Sequence, residues 1–381
     1  MDATTDSLDP LTPPTLPETA PQTLHPTLPP SATPTAPPPA APSPHSFFFG
    51  RFGLRAGYGI SIFVVVFLIL NIMGGFFAVA ATGHMHQVMQ ARAYAAAHPH
   101  APRVDLHIPL IPAFISIQDG ITFLGLLGLC WFFSKGERRP LRSFGLGSYR
   151  FRDVFAGALW GLIMMGSLIF VLHASHLLVF DGRALHGPAI FLYGLKWLLA
   201  FLLVGFSEEY SFRGYLQFTL MRGVWGLAGK ISAANTRAIA FWIAATLLSL
   251  LFALAHTGNG GETFFGLVQV FLAGIAFSYA LWRTGSLWWG IGFHMTWDWA
   301  QSYLFGVADS GNISVGRLFI THPQGRPILS GGPDGPEGSV FATVALLLTI
   351  VIIHFIRRGE QTAVEPAPNP DELPAPSAYA A

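Results

Sequence analysis

Eight apolar stretches, each near the length that crosses a bilayer, constrain what this chain can fold into. They run near residues 58–82, 110–133, 153–180, 188–222, 237–256, 263–283, 286–305 and 339–357. A helix needs roughly 20 residues to span the hydrocarbon core. The expected fold is therefore all-α, a polytopic helical membrane bundle of about eight transmembrane helices. Apolar residues make up 52%, charged residues only 11%, and mean hydropathy is +0.49, which excludes an ordinary soluble globular protein. The net charge of +1 points to no partner, and no long basic cluster argues for nucleic acid.

Outside the spans the composition changes. Residues 1–46 hold fourteen prolines and neither Lys nor Arg. That is unlike a secretory signal and reads as a disordered, partly polyproline-II tail. The remaining organisation is 47–149 for the first transmembrane helices and loops, 150–305 for a candidate catalytic core, 306–358 for a loop and the last span, and 359–381 for a second disordered tail. The single cysteine, Cys130, lies in an apolar run, so it supports no disulfide framework and reads as a packing residue.

Lys and Arg orient the bundle. With the N-terminus cytoplasmic, that side receives Arg51, Arg55, Lys135, Arg138, Arg139, Arg142, Arg150, Arg152, Arg222, Lys230, Arg237, Arg283, Arg357 and Arg358. The other side receives Arg92, Arg103, Arg183, Arg317 and Arg326. Both termini are thus expected in the cytoplasm, the chain being an integral protein of a bacterial inner membrane. The first external loop, about 83–108, carries His84, His86, His98, His100 and His107 without a carboxylate or thiolate set. It reads as an incidental polar loop rather than a metal or pH-sensing site. Gly157 and Gly161 predict close helix packing, and Gly331–Gly338 predicts a surface loop.

Three apolar segments carry ionisable misfits. Glu208, Glu209 and Arg213 sit inside the fourth, His256 closes the fifth, and His294 and Asp298 sit in the seventh. Each charge at the centre of a membrane helix costs roughly 2.5–3.5 kcal/mol on insertion scales. Glu209 and Arg213, four apart with the acid first, are spaced to pair on one helix face, which leaves Glu208 without an assigned partner. His294 and Asp298 share a face in the same way. A Glu with apolar surroundings can serve as general base. Two histidines with a carboxylate can instead hold a divalent metal such as Zn²⁺, with a position open for water, through His256, His294, Asp298 and Glu208. The same groups without metal can perform acid/base hydrolysis. Both versions predict amide hydrolysis within the bilayer. A structural ion pair is the plainer reading of Glu209 and Arg213.

Glu208-Glu209-x-x-x-Arg213, Phe252-x-x-x-His256 and His294-x-x-x-Asp298, in this order on successive helices, resemble the three motifs of the CPBP intramembrane proteases. These are the type II CAAX prenyl endopeptidases and bacterial Abi proteins. The resemblance covers roughly residues 150–305. It implies a helical membrane endopeptidase acting on a membrane-associated protein or peptide within the lipid bilayer. Glu208 takes the place of the catalytic base, with Glu209 and Arg213 paired beside it and His256 and His294 as further catalytic residues. The family's fourth position is Asn or Asp. Asp298, which only accepts hydrogen bonds when ionised, suits a metal ligand or an orienter of histidine. Phe252 reads as packing for the His256 helix. The resemblance implies CAAX-type processing or bacteriocin and immunity-type processing. The alternative is a proton-coupled transporter using the same buried Glu, His and Asp set; a catalytically silent scaffold is the third reading. At ~1.5 Å per residue, Glu208 lies roughly 20 Å from Arg222, His256 about 28 Å from Arg237 and His294 about 13 Å from Gly285. These depths meet only if helices tilt, protrude or bend.

Overall fold

The computed structural model describes residues 45–50, 53–98, 110–137 and 139–356. The proline-rich tail apart from its last two residues, His100, His107 and the residues after 356 lie outside this set. A single helical turn, α1 (His45–Phe48), and the two-residue strands β1 (Phe49–Gly50) and β2 (Gly53–Leu54) precede the first long helix, α2 (Ala56–Ala81). The His-containing loop is not simply a loop, because α3 (Met85–Ala97) occupies most of its described part. Then follow α4 (Pro112–Gly136), α5 (Asp153–Ala174), strand β3 (Leu178–Arg183) and α6 (Pro188–Glu209). The α6 helix continues through a π-helical stretch, Tyr210–Leu216, into α7 (Gln217–Gly223). After α8 (Trp225–Ile231) come α9 (Thr236–Ala255), α10 (Phe264–Thr284) and α11 (Trp288–Asp298), the last prolonged by a second π-helical stretch, Trp299–Leu304. Strand β4 (Phe319–Pro323), the one-turn α12 (Pro327–Ser330) and α13 (Val340–Ile356) complete the chain.

Six helices, not eight, are long and apolar enough to cross a membrane by themselves among the described residues: Ala56–Ala81, Pro112–Gly136, Asp153–Ala174, Pro188–Gly223, Thr236–Gly258 and Phe264–Thr284. The other two expected spans form shorter helices, α11 with its π stretch and α13. The protein is a mostly helical, integral membrane protein. Local signals set several helix starts. Proline occupies the first turn of α4 and α6, where its missing N–H costs nothing. Thr263 caps α10 by accepting from Gly266 N–H at 3.0 Å. Large apolar side chains such as Ile72, Phe170 and Phe191 stay exposed on the outer faces, as helices facing lipid require.

The α5 and α11 backbones touch. A Cβ on Gly157 would lie 2.0 Å from Trp289 O, and one on Gly292 would lie 2.0 Å from Val154 O. Thr296 Oγ1 crosses the same seam to Ala158 O at 2.7 Å. Small residues allow this approach, and the hydroxyl fixes its register. Elsewhere a buried knot joins α4 to the π stretch and α7. Tyr215 OH donates to Glu137 Oε1 at 2.9 Å, and Arg222 Nη1 lies 3.0 Å from Glu137 Oε2.

Connections fall at two ends. At one, Trp288 Nε1 donates to Gly147 O, joining the α4–α5 and α10–α11 connections. At the other, β3 and β4 pair antiparallel with an irregularity at Phe180/Gly182, and Gly311 N–H donates to Asp334 O. Gly331–Gly338 is not the expected surface loop. Gly331, Asp334, Gly335, Pro336 and Gly338 are buried, because this segment folds inward over α10, where Thr263 Oγ1 donates to Asp334 Oδ2 at 2.7 Å.

Candidate active site

The last turn of α6 presents Glu208 and Glu209, and the π stretch begins at the next residue. The wider turn stays helical yet carries Arg213 back beside Glu209, with Nη1 3.1 Å from Oε1 and both side chains almost fully enclosed. π stretches of this kind recur at functional sites. The Arg213 guanidinium lies 4.2 Å from the Phe252 ring centroid, and its Nη2 makes no hydrogen bond. Gly274 makes room for it, since a Cβ there would come within 2.8 Å of Nη2.

His294 projects from α11 into this pair. Its Nδ1 is 3.3 Å from Glu209 Oε1, and its Nε2 faces Asp298 Oδ2 at 3.4 Å and Glu208 Oε2 at 3.7 Å. An ionised Glu209 can only accept, so Nδ1 carries hydrogen. Phe277 stacks on the imidazole at a centroid distance of 5.4 Å. His256, just beyond α9, donates from Nδ1 to Phe252 O at 2.8 Å. The carbonyl fixes the tautomer, leaving Nε2 as the acceptor when the ring is neutral.

Glu208, His256, His294 and Asp298 line one cavity of about 320 Å³. Glu209 and Arg213 lie directly behind it. His256 shares the cavity but makes no hydrogen bond or ion pair with the other candidates. Helix stagger resolves the depth mismatch. Glu208 is about 30 Å along α6 from Pro188 and His294 about 9 Å along α11 from Trp288, whereas His256 stands at the very end of α9. The α9–α10 connection and the buried Gly331–Gly338 segment therefore fold down to the level of Glu208.

The cavity also takes in carboxylates that motif reasoning missed. Asp119 of α4 accepts from Ser207 Oγ at 2.7 Å, beside Glu208. Its signal was present, as an acid within the second apolar run. Asp309 and Glu337 come from the segment between α11 and α13. They lie among other polar loop residues, where sequence offers no signal. Burial pushes the Asp309 carboxyl up to about 6. Burial first, then the charge of Asp309, raises Glu337 as well.

Among the described residues no group of three or more His, Cys, Asp and Glu side chains is arranged to hold an ion. Glu208 Oε2 and Asp298 Oδ2 both face His294 Nε2, while His256 shares their cavity.

Comparison with known families adds one finding: residues 190–300 match the model described as type II CAAX prenyl endopeptidase Rce1-like. The matched stretch contains all six candidate residues and excludes Asp119, Asp309 and Glu337. No curated protein and no solved structure matches the chain.

Proposed function

Because residues 190–300 are a domain of the Rce1-like type II CAAX prenyl endopeptidase family, a family of intramembrane proteases, we propose that the chain hydrolyses a peptide bond of a membrane-associated protein or peptide, with Glu208 as general base. The supporting observation is a contrast between neighbours. Glu209 is committed to Arg213 and His294 behind the cavity, whereas Glu208 lines it and its Oε2, 3.7 Å from His294 Nε2, makes no hydrogen bond. A carboxylate so placed takes a proton from water as the hydroxide attacks the scissile carbonyl. His256, held by Phe252 O, presents Nε2 to the same space. As imidazolium it donates to the developing oxyanion and then protonates the leaving amine. His294 spans Glu208, Glu209 and Asp298, so a proton gained by Glu208 can be shared within that group. Asp298, as an acceptor, orients His294. No step is assigned to a metal, and the metal content of the active preparation decides between this version and a Zn²⁺ version.

The test is Glu208→Ala, purified in nanodiscs and assayed on a peptide panel. The expected result is loss of cleavage with unchanged yield and elution. Full proteolysis by that variant would overturn the assignment. Uptake driven by a pH gradient, with no peptide products, would favour the transporter instead.

A further inference from the structure

Beyond Glu208 the cavity has a second end, walled by acceptors whose local donors are already used. Ser302 Oγ donates to Asp309 Oδ2 at 2.7 Å. Ser310 donates its N–H and, at 3.0 Å, its Oγ to Glu337 Oε1. Asn312 Nδ2 is turned onto the Asp309 and Ser310 carbonyls at 3.3 and 3.2 Å. Each carboxylate thus keeps one oxygen with no hydrogen bond. Gln269 is a second, independent observation on the same cavity. It is 2% exposed and donates Nε2 to Thr343 Oγ1 at 2.7 Å, while its Oε1 has no partner. A buried acceptor without a donor costs about 1–3 kcal/mol, so Gln269 Oε1 calls for a ligand that brings an N–H group to this wall. Asp119, Glu208, Asp298, Asp309 and Glu337 all line the cavity, and no Lys or Arg does so among the described residues.

We propose that the end formed by Asp309, Glu337 and Gln269 is a subsite for a cationic group of the substrate peptide, a Lys or Arg side chain or a free α-amine. The inference rests on the protease reading and names a specificity that reading lacks. A bare metal ion fits this wall poorly, because no three acidic or histidine side chains converge. An ammonium or guanidinium brings several donors spread over a few ångströms, which matches separated acceptors. Burial and the charge of Asp309 disfavour the ionised form of Glu337. A bound Lys or Arg relieves that repulsion.

The full-length protein in nanodiscs is assayed with N-acetylated, C-amidated peptides carrying Lys, Arg, Gln or Glu in turn at each position around the scissile bond. The same peptides are then tested with a free N-terminus. Lys or Arg at one fixed position is expected to raise kcat/KM about tenfold over Gln, and over Glu by more, as charge complementarity requires. A preference that follows the free N-terminus identifies the α-amine as the cation. Asp309→Asn with Glu337→Gln, each of which keeps an acceptor oxygen for its serine partner, brings the Lys-to-Gln ratio towards one. Glu337→Lys reverses the preference towards Glu, a gain that misfolding cannot produce. Equal kcat/KM for Lys, Gln and Glu at every position overturns the subsite and leaves the protease reading standing. Independently of turnover, fluorescence anisotropy of reduced-amide Lys and Gln peptides on Glu208→Ala reads the subsite directly. Tighter binding of the Lys probe, lost on neutralising Asp309 and Glu337, upholds it. Equal binding overturns it, even if no peptide is cut.

Discussion

Glu209 divides its Oε1 between Arg213 Nη1 at 3.1 Å and His294 Nδ1 at 3.3 Å, while Glu208 Oε2 lies 3.7 Å from His294 Nε2 without a hydrogen bond. The same substitution should therefore do different things at the two positions. Glu209→Gln leaves the enclosed Arg213 charge uncompensated and should cost about 3–5 kcal/mol, read as loss of folded yield and a lower melting temperature. Glu208→Gln should fold as wild type and lose about 10²–10⁴-fold in turnover, the usual worth of a general base. Equal stability of the two variants would remove the distinction. Asp309 gives a pH signature. Its carboxyl is raised from 3.8 to about 6 in the folded protein. Folding therefore favours its protonated form, a contribution complete below about pH 4 and lost as pH rises through about 6. Asp309→Asn does not ionise, so its melting temperature relative to wild type should climb between pH 4 and pH 7 and then level off. A constant difference across that range would mean Asp309 titrates normally. The six motif residues were legible because an ionisable group in an apolar run stands out against its neighbours. Asp119 stood out in the same way but belongs to no motif. Asp309 and Glu337 gain their position only from tertiary folding.

Among the elements, the α5–α11 seam holds His294 and Asp298 in place. Gly157→Ala puts a methyl against Trp289 O, where the ideal position is 2.0 Å away. Alanine's helix propensity returns at most about 1 kcal/mol, far less than separating two helices forfeits in packing. The expected outcome is a lower melting temperature together with loss of activity, because any outward shift of α11 draws His294 from Glu209. Wild-type values for both would show that the seam relaxes freely. This contact was readable, since Gly157 and Gly161 are spaced one helical turn apart. The π stretches at Tyr210–Leu216 and Trp299–Leu304 were not. Neither stretch carries a residue pattern that announces an i→i+5 turn. In the first stretch the wider turn is supported by remote partners, with Tyr215 on Glu137 and Arg213 over Phe252. The seventh span came out short for a related reason. α11 is enclosed by α5, α6 and α10, so its length is set by protein neighbours rather than by lipid.

For the molecule as a whole, stagger links the site to one end of the bundle. α9 stops at His256 and α10 begins at Phe264, so the connection between them and the segment carrying Asp309 and Glu337 form the cavity's loop-side wall. That end also holds the β3–β4 pair and, of the described basic residues, Arg92, Arg183, Arg317 and Arg326. The opposite end gathers Arg55, Lys135, Arg139, Arg142, Arg150, Arg152, Arg222, Lys230, Arg237 and Arg283. If the excess of Lys and Arg marks the cytoplasmic side, as the sequence leads one to expect, the cavity's loop-side wall lies towards the other face. The depths that failed to meet when each helix was measured alone meet because helix ends need not share a plane. Only the assembled bundle shows which ends are drawn inward. Cysteine labelling tests the orientation cleanly, because Cys130, the chain's only cysteine, is fully buried and should stay silent. Ala184→Cys, exposed beside β3, should react with a membrane-impermeant maleimide in intact cells. Ser148→Cys, exposed at the basic end, should react only after permeabilisation. The reverse pattern would turn the bundle over and open the Glu208 cavity to the cytoplasm, so that its substrate would have to be presented from inside the cell.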